Sequence, residues 1–111
     1  MDYFQRIGLL SSIDAEEVKQ SFQKLESFLH AQGRDVVYEQ KTAELVGWKV
    51  EKSLEINEFL ESIDLVVVIG GDGSIPSACR KIASSNVPLL GINLGRLGFL
   101  TDITPDEIEL R

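Results

Sequence analysis

The sequence has few of the residues that build covalent or metal-bound frameworks. It contains one cysteine, Cys79, and one histidine, His30, among 111 residues. A single cysteine excludes an internal disulfide, and the lack of a cysteine and histidine cluster excludes a zinc site. We expect Cys79 to be a small buried residue and His30 to be a surface residue near the C-terminus of a helix. No set of metal-ligating side chains is expected.

Clustered positive charge and long apolar runs are also missing. Lysine and arginine number 11 against 18 aspartates and glutamates, which gives a net charge of −7. This balance argues against non-specific nucleic-acid binding, which depends on clustered basic residues. No apolar run reaches membrane-spanning length, and the first residues, Met1-Asp2-Tyr3, are acidic where a secretory signal is basic. We therefore expect a cytoplasmic protein that binds neither nucleic acid nor membranes.

The composition that remains is typical of a soluble globular domain, with 43% hydrophobic and 26% charged residues. A chain of 111 residues is long enough for one small domain but short for a complete enzyme built on a doubly wound sheet. Thr104 and Glu107 form a capping box around Pro105, yet few residues follow them. We expect the sequence to stop part-way through a helix and so to be a fragment.

The hydrophobic pattern alternates strands with helices. Strands are predicted at residues 3–10, 35–39, 65–69 and 87–92. A helix is predicted with Asp14 as its N-cap, an apolar stripe that includes Val18 and Phe22, and Gly33 just after its end. Further helical patterns lie within residues 54–63 and from Pro76 onward. Residues 41–48 are interpreted as a loop or a ragged helix, in which Trp48 is either a packing residue or a ligand contact. This succession predicts an α/β domain with a parallel sheet.

The central feature is a buried strand that ends in a glycine-rich turn. Residues 65–69 are apolar and mostly β-branched, and the sequence GGDGS follows at residues 70–74. Such a strand is typical of a parallel sheet that is covered on both faces. The glycines permit positive φ and let a ligand approach the backbone, while the next helix offers the positive end of its dipole. This arrangement favours phosphate.

One carboxylate stands among these anion-binding groups. Asp72 would repel phosphate, so it is interpreted as a proton acceptor, a hydroxyl anchor or an outer partner of Mg²⁺. Aspartate and serine are also common turn formers, so Asp72 and Ser74 can instead bond their own backbone. Their place between a buried strand and a helix favours a ligand, because ligands in open α/β sheets bind at the carboxyl ends of strands.

A second glycine-rich loop follows the next predicted strand. The sequence GINLGRLGFLTD spans residues 91–102. Two such loops on neighbouring parallel strands would face each other across one crevice. Together they resemble the motifs of bacterial NAD kinases. Similar first motifs occur in phosphofructokinases and in diacylglycerol and sphingosine kinases, whereas the second motif is far more specific. The resemblance extends along the whole chain and is strongest at residues 64–102.

The resemblance implies a three-layer α/β/α fold with a mostly parallel sheet. Residues 1–111 would form the N-terminal domain of a two-domain kinase, without its β-rich C-terminal domain. NAD kinases transfer a phosphoryl group from ATP, or in some members polyphosphate, to the 2′-hydroxyl of the adenosine ribose of NAD⁺, with Mg²⁺ required. The full-length proteins commonly form homodimers or homotetramers. Half of the cleft is expected to be inactive alone, because phosphoryl transfer depends on positioning.

The resemblance also implies roles for individual residues. Asp72 matches the base that engages the 2′-hydroxyl. The expected nucleotide-binding residues are Gly71, Gly73, Ser74, Asn93, Gly98 and Phe99. Phe99 either contacts the nicotinamide half of NAD or packs under its loop, and Arg96 either faces phosphates or is solvated. The alternatives to an NAD kinase are a phosphofructokinase-like or lipid-kinase-like phosphotransferase and a non-catalytic nucleotide-binding module.

Overall fold

The computed structural model describes residues 4–71 and 73–93, with only the backbone described at Ser74. The elements in this part of the chain are β1 (Arg6–Leu10), α1 (Glu16–Ala31), β2 (Asp35–Glu39), α2 (Gln40–Val46), β3 (Ser53–Leu54), α3 (Ile56–Ser62), β4 (Leu65–Gly70), α4 (Ser74–Ile82) and β5 (Leu89–Asn93). None of these helices is long and apolar enough to cross a bilayer. The helix predicted after Thr104 lies outside the described residues.

The five strands form one sheet in which every pair is parallel. Their order is β3-β2-β1-β4-β5, so β1 and β4 occupy the centre. A parallel pair needs a crossover connection, and α1, α2 and α4 supply it for the pairs β1–β2, β2–β3 and β4–β5. The predicted α/β class and parallel sheet are therefore confirmed.

Alternate residues of β4 face opposite layers of helices. Val67 and Ile69 belong to a core cluster that includes residues of α1, whereas Val66 and Val68 belong to a cluster that includes residues of α3 and α4. All four side chains are at most 2% exposed. A strand buried on both faces reads as a continuous apolar run, which is the pattern seen in the sequence. The fold has three layers, with helices on both sides of the sheet.

Gly8 in β1 allows α3 to pack directly against the sheet. A Cβ built at this position would lie 2.5 Å from Ile63 Cδ1 and 2.5 Å from Phe59 Cζ. Phe59 is fully buried, so its ring has no solvent to move into. The absent side chain of Gly8 thus sets how closely α3 approaches β1, because protein cores are close-packed.

Helix α1 ends as predicted but begins differently. Gly33 follows the helix with φ of 76°, and its N–H donates to the carbonyl of His30 at 3.0 Å. Glycine is common at this position because it takes positive φ without strain. At the other end the N-cap is Ala15, with no side-chain cap, so the predicted cap by Asp14 is wrong. Asp14 lies 3.6 Å from the ammonium of Lys19 instead.

Residues 40–62 hold more structure than the sequence pattern predicted. Residues 41–48 were interpreted as a loop or a ragged helix, and most of them form the helix α2. The short strand β3 was not predicted. Helix α2 begins at this point because the Glu39 carboxylate accepts the N–H groups of Lys41 and Thr42, at 3.1 and 3.0 Å. Strand β3 pairs with β2 over only two residues, which is too short for a periodic pattern.

Cys79 lies on the exposed side of α4, so the expectation that it is buried is wrong. Helix α4 begins at Ser74, two residues earlier than predicted, and Pro76 falls within its first turn. The sheet-facing positions of α4 are taken by other apolar residues, which are Ile75, Ala78 and Ile82. Their spacing of three and four residues leaves the Cys79 position at the edge of that stripe.

Candidate active site

Two connections leave the middle of the sheet in opposite directions. From β1 the chain continues to β2 on one side, and from β4 it continues to β5 on the other. The two central strands are held in register, with Leu10 at the end of β1 paired with Val68 of β4. Ligands in open parallel sheets bind outside the carboxyl ends of strands at such a reversal. The candidate site is therefore centred where β1 and β4 end.

The glycine turn that follows β4 has an open backbone. Gly71 accepts the N–H of Ile75 through its carbonyl at 3.2 Å, and Gly73 is the N-cap of α4. The positive φ that glycine permits is not used here: Gly73 has φ of −87°, and the positive-φ glycines of the described chain are elsewhere. A Cβ built on Gly71 or Gly73 would meet no heavy atom within 4 Å among the described residues. Free space beside the backbone is what these glycines provide.

Asn93 brings a polar side chain to the same end of the sheet. It is the last residue of β5, where it pairs with Gly70 of β4, and it is only 2% exposed. The sequence placed Asn93 in the second glycine loop, whereas the structure places it in the strand that precedes this loop. The predicted adjacency of the two strands is confirmed, because β4 and β5 are paired and parallel, whereas residues 94–102 of the second loop lie outside the described residues.

A crevice of about 450 Å³ opens on the other side of β4, beside β1. Its floor contains the paired residues Leu10 and Val68, and its walls come from the loop after β1, from α2 and from α4. The polar and charged residues that line it are Ser11, Ser12, Glu39, Lys41, Glu44, Ser77 and Lys81. An apolar floor with a few polar groups around it is the usual character of a small-molecule site.

Two lysines and two glutamates line this crevice, and they differ in how far they are exposed to solvent. Lys41 of α2 and Lys81 of α4 line it and are exposed, so both ammonium groups are available to an anionic ligand. Glu44 is exposed as well, whereas Glu39 is 7% exposed and its oxygens accept backbone N–H groups of α2. An ammonium on a flexible side chain pairs readily with phosphate oxygens. The crevice can therefore accept a phosphate between α2 and α4.

A buried polar junction supports the crevice wall. The hydroxyl of Thr42 accepts the backbone N–H of Ser11 at 3.0 Å and lies 2.9 Å from Glu39 Oε1. Thr42 is fully buried, and Ser11 and Glu39 are 5% and 7% exposed. The ends of β1 and β2 and the start of α2 are thus joined through one side chain.

Sequence reasoning missed this crevice. It concentrated on the glycine loops after the third and fourth predicted strands and assigned no role to the residues that follow β1 and β2. The signal was available, because the carboxyl ends of parallel strands meet at one edge of the sheet. Applied to β1 and β2, the same rule leads to Ser11, Ser12 and Glu39, which all line the crevice.

Several predicted site residues lie outside the described part of the chain. They are Asp72, Arg96, Gly98 and Phe99, together with the side chain of Ser74. Ser74 is described as the first residue of α4 through its backbone. Within residues 4–71 and 73–93 there is no group of three or more histidine, cysteine, aspartate or glutamate residues that could hold a metal ion.

Two further residues, Trp48 and His30, had open interpretations in the sequence. Trp48 is partly buried and packs against the core cluster that includes α1, which favours its interpretation as a packing residue. His30 is on the surface, with Nε2 3.7 Å from Glu51 Oε1, as expected for a residue at the end of α1. Neither residue lines the crevice.

The chain is similar to known proteins over its whole length. It is 45% identical to the NAD kinase of Saccharophagus degradans, over 100% of this chain and 38% of that protein. It is 44% identical to the NAD kinase of Hahella chejuensis, over 98% of this chain and 37% of that protein. The chain thus spans less than two-fifths of the length of these relatives.

The fold matches a solved structure as well. The crystal structure of yeast NADH kinase complexed with NADH superposes with a TM-score of 0.77, covering 96% of this chain and 36% of that one. The sequences are 20% identical, so this match concerns the fold. The family model described as the ATP-NAD kinase N-terminal domain matches residues 7–110. Since this match covers almost every residue and the bacterial relatives agree with it, the chain belongs to the NAD kinase family.

Proposed function

We propose that the protein containing this chain phosphorylates the 2′-hydroxyl of the adenosine ribose of NAD⁺, with ATP or polyphosphate as the donor. The observation that carries this proposal is the pairing of Gly70 with Asn93, which brings the ends of β4 and β5 together. Both motifs that resemble NAD kinases leave the sheet at this point. The family match over residues 7–110 supports the same reaction.

The acceptor, NAD⁺, is assigned to the side of β4 that faces β5. Asn93 closes β5 there, and the second glycine loop, with Gly98 and Phe99, continues from it in the sequence. The backbone of Gly71 and Gly73 is open to a ligand, and Ser74 begins the helix that follows. A nucleotide can therefore lie against backbone at this turn, with Phe99 offering an apolar contact to its nicotinamide half.

The donor is assigned to the crevice on the β1 side of the same turn. Lys41 and Lys81 supply two positive charges there, and Leu10 and Val68 give the crevice an apolar floor. A polyphosphate chain, whether from ATP or from inorganic polyphosphate, carries the charge that these ammonium groups recognise. Mg²⁺ would be held largely by the phosphates of this donor and by water, and it would offset the negative charge of those phosphates.

Asp72 lies between Gly71 and Gly73 in the sequence and is proposed as the base. It accepts the proton of the 2′-hydroxyl while the ribose oxygen forms its bond to the terminal phosphorus. The bond from that phosphorus to its bridging oxygen breaks, and ADP leaves when the donor is ATP. Positioning and charge stabilisation supply most of the catalysis in such a transfer.

The remaining expectations concern the whole protein. Residues 1–111 are proposed to be an N-terminal nucleotide-binding domain that needs a C-terminal domain to complete the cleft. The cytoplasm is the proposed location, and a homodimer or homotetramer is the proposed assembly. Together these predict that the isolated chain has little or no activity.

The experiment is an acceptor comparison with the full-length protein. NAD⁺, fructose 6-phosphate and diacylglycerol are each supplied with ATP and Mg²⁺, and the phosphorylated products are separated by chromatography. The proposal predicts NADP⁺ as the main product, loss of turnover with a chelator and recovery with added Mg²⁺. A parallel assay with polyphosphate identifies the donor. A phosphorylated sugar or lipid would contradict the proposal, and binding of NAD⁺ without transfer would favour a non-catalytic module.

A further inference from the structure

The buried junction beside the crevice contains more hydrogen bonding than a helix cap requires. Glu39 alone caps α2, since its two carboxylate oxygens accept the N–H groups of Lys41 and Thr42. The hydroxyl of Thr42 adds a link to a different segment: it accepts the N–H of Ser11 at 3.0 Å and lies 3.0 Å from the Ser11 carbonyl oxygen. This link joins residues 31 positions apart in the chain.

The segment held in this way forms part of the crevice. Ser11 is the first residue after β1, and its own hydroxyl accepts the N–H of Ile13 at 3.2 Å, which shapes the next turn of the loop. Ser11 and Ser12 line the crevice on the loop side, while Glu39 and Lys41 line it on the α2 side. The contact between Thr42 and Ser11 therefore fixes one wall of the crevice relative to another.

The burial of the junction makes this contact hard to replace. Thr42 is 0% exposed and Ser11 is 5% exposed, so water has little access to the Ser11 N–H. A buried donor that loses its acceptor must move or stay unsatisfied, and both are unfavourable. Removal of the Thr42 hydroxyl would consequently weaken the attachment of the loop after β1 to α2.

We propose that Thr42 is a positioning residue, whose hydroxyl holds the Ser11 loop against α2 and thereby sets the crevice width that the phosphoryl donor meets. This inference rests on the proposed function, in particular on the assignment of the donor to the β1 side. The inference predicts that Thr42 affects binding of the donor but not binding of NAD⁺. The NAD⁺ side, between β4 and β5, has no contact with Thr42 among the hydrogen bonds of the described residues.

The test compares Thr42→Val, Thr42→Ala and Thr42→Ser in the full-length protein, with KM measured for each substrate. Valine keeps the shape without the hydroxyl, alanine avoids any misfit of the second methyl group, and serine retains the hydroxyl. Thr42→Val and Thr42→Ala are expected to raise the KM for the donor about three- to tenfold, since one hydrogen bond is lost at the wall. The KM for NAD⁺ is expected to stay within about twofold, and Thr42→Ser to restore the donor KM.

Ser21→Ala provides the matched control. Ser21 is also a buried hydroxyl, 5% exposed, and it donates to the carbonyl of Glu17 within α1, which does not line the crevice. It should change thermal stability without changing either KM. An unchanged donor KM in both Thr42→Val and Thr42→Ala, or an equal rise for both substrates, would overturn the positioning role. A wild-type protein that makes no NADP⁺ would instead contradict the proposed function itself.

Discussion

Gly70 and Asn93 are paired across β4 and β5, so the start of the glycine turn lies next to the buried residue Asn93 at the carboxyl ends of these strands. The two strands run parallel, and their carboxyl ends therefore open on the same side. A ligand that contacts the backbone of Gly71 would therefore lie close to Asn93, the last residue of β5. This adjacency is the structural basis for assigning NAD⁺ to that side.

Substitution of Asn93 should weaken acceptor binding selectively. In the full-length protein, Asn93→Ala is expected to raise the KM for NAD⁺ about tenfold, because a buried polar group at the nucleotide side is lost. The KM for the donor should change little. Asn86→Ala is the control, since Asn86 is exposed and precedes β5 at its opposite end. Equal changes in both KM values would indicate a general loss of structure instead.

A methyl group at Gly8 should destabilise the fold without touching the site. Gly8→Ala would place its Cβ 2.5 Å from atoms of Ile63 and Phe59, so α3 or the strand must shift. Overpacking of this kind costs about 1–3 kcal/mol in the free energy of unfolding. Denaturant unfolding measures the loss. Gly47→Asn is the comparison, since a Cβ there meets no described atom within 4 Å and asparagine tolerates its positive φ. A loss no larger than that of Gly47→Asn would contradict the close approach of α3.

Protonation of Asp64 at low pH should lower the thermal stability of the fold. Its Oδ2 accepts the backbone N–H groups of Arg6 and Gln5 at 3.0 and 2.9 Å, and these bonds hold the pKa of Asp64 below its ordinary value of 3.8. A carboxylate with a lowered pKa stabilises the fold above its unfolded pKa, and this contribution is lost as the pH falls through the folded pKa. The Tm difference between the wild type and Asp64→Asn should thus be largest at neutral pH and shrink below pH 3.8.

Asp35→Asn controls for the removal of another exposed carboxylate, at the start of the neighbouring β2. If the Tm difference for Asp64→Asn were constant from neutral pH into the acid range, the two backbone hydrogen bonds would not depend on the charge of Asp64. Thermal unfolding followed by circular dichroism at several pH values gives this result directly.

The sequence predicted the parts of the fold that depend on local pattern. The apolar run of β4, the glycine turn and the stripe of α1 that begins with Val18 and Phe22 are visible because their spacing matches one element each. The mistakes concern interactions that the spacing of apolar residues does not mark. Helix α2 looked ragged because its capping group, Glu39, is the last residue of β2 rather than a typical capping residue.

The candidate site divides in the same way. Gly71, Gly73 and Asn93 were predicted from motifs that follow single strands and that resemble those of NAD kinases. The hydrogen bond between Ser11 and Thr42 beside the crevice joins residues 31 positions apart, and no local pattern marks that contact. The prediction that Cys79 is buried was wrong because Ile75 and Ile82, which pack against the sheet, set the face of α4 that is buried. Strand order and helix docking decide these features, and neither can be read from spacing alone.

The measurement that tests the central proposal most directly is the turnover of Asp72→Asn in the full-length protein, with NAD⁺ and Mg–ATP at saturation. Asparagine keeps the size of the side chain but cannot accept the proton of the 2′-hydroxyl. A positioned base contributes about 10²–10⁴-fold, so kcat for NADP⁺ formation should fall by that factor while Tm and both KM values stay near those of the wild type. A variant that retains wild-type kcat would contradict the role of Asp72 and, with it, the proposed mechanism.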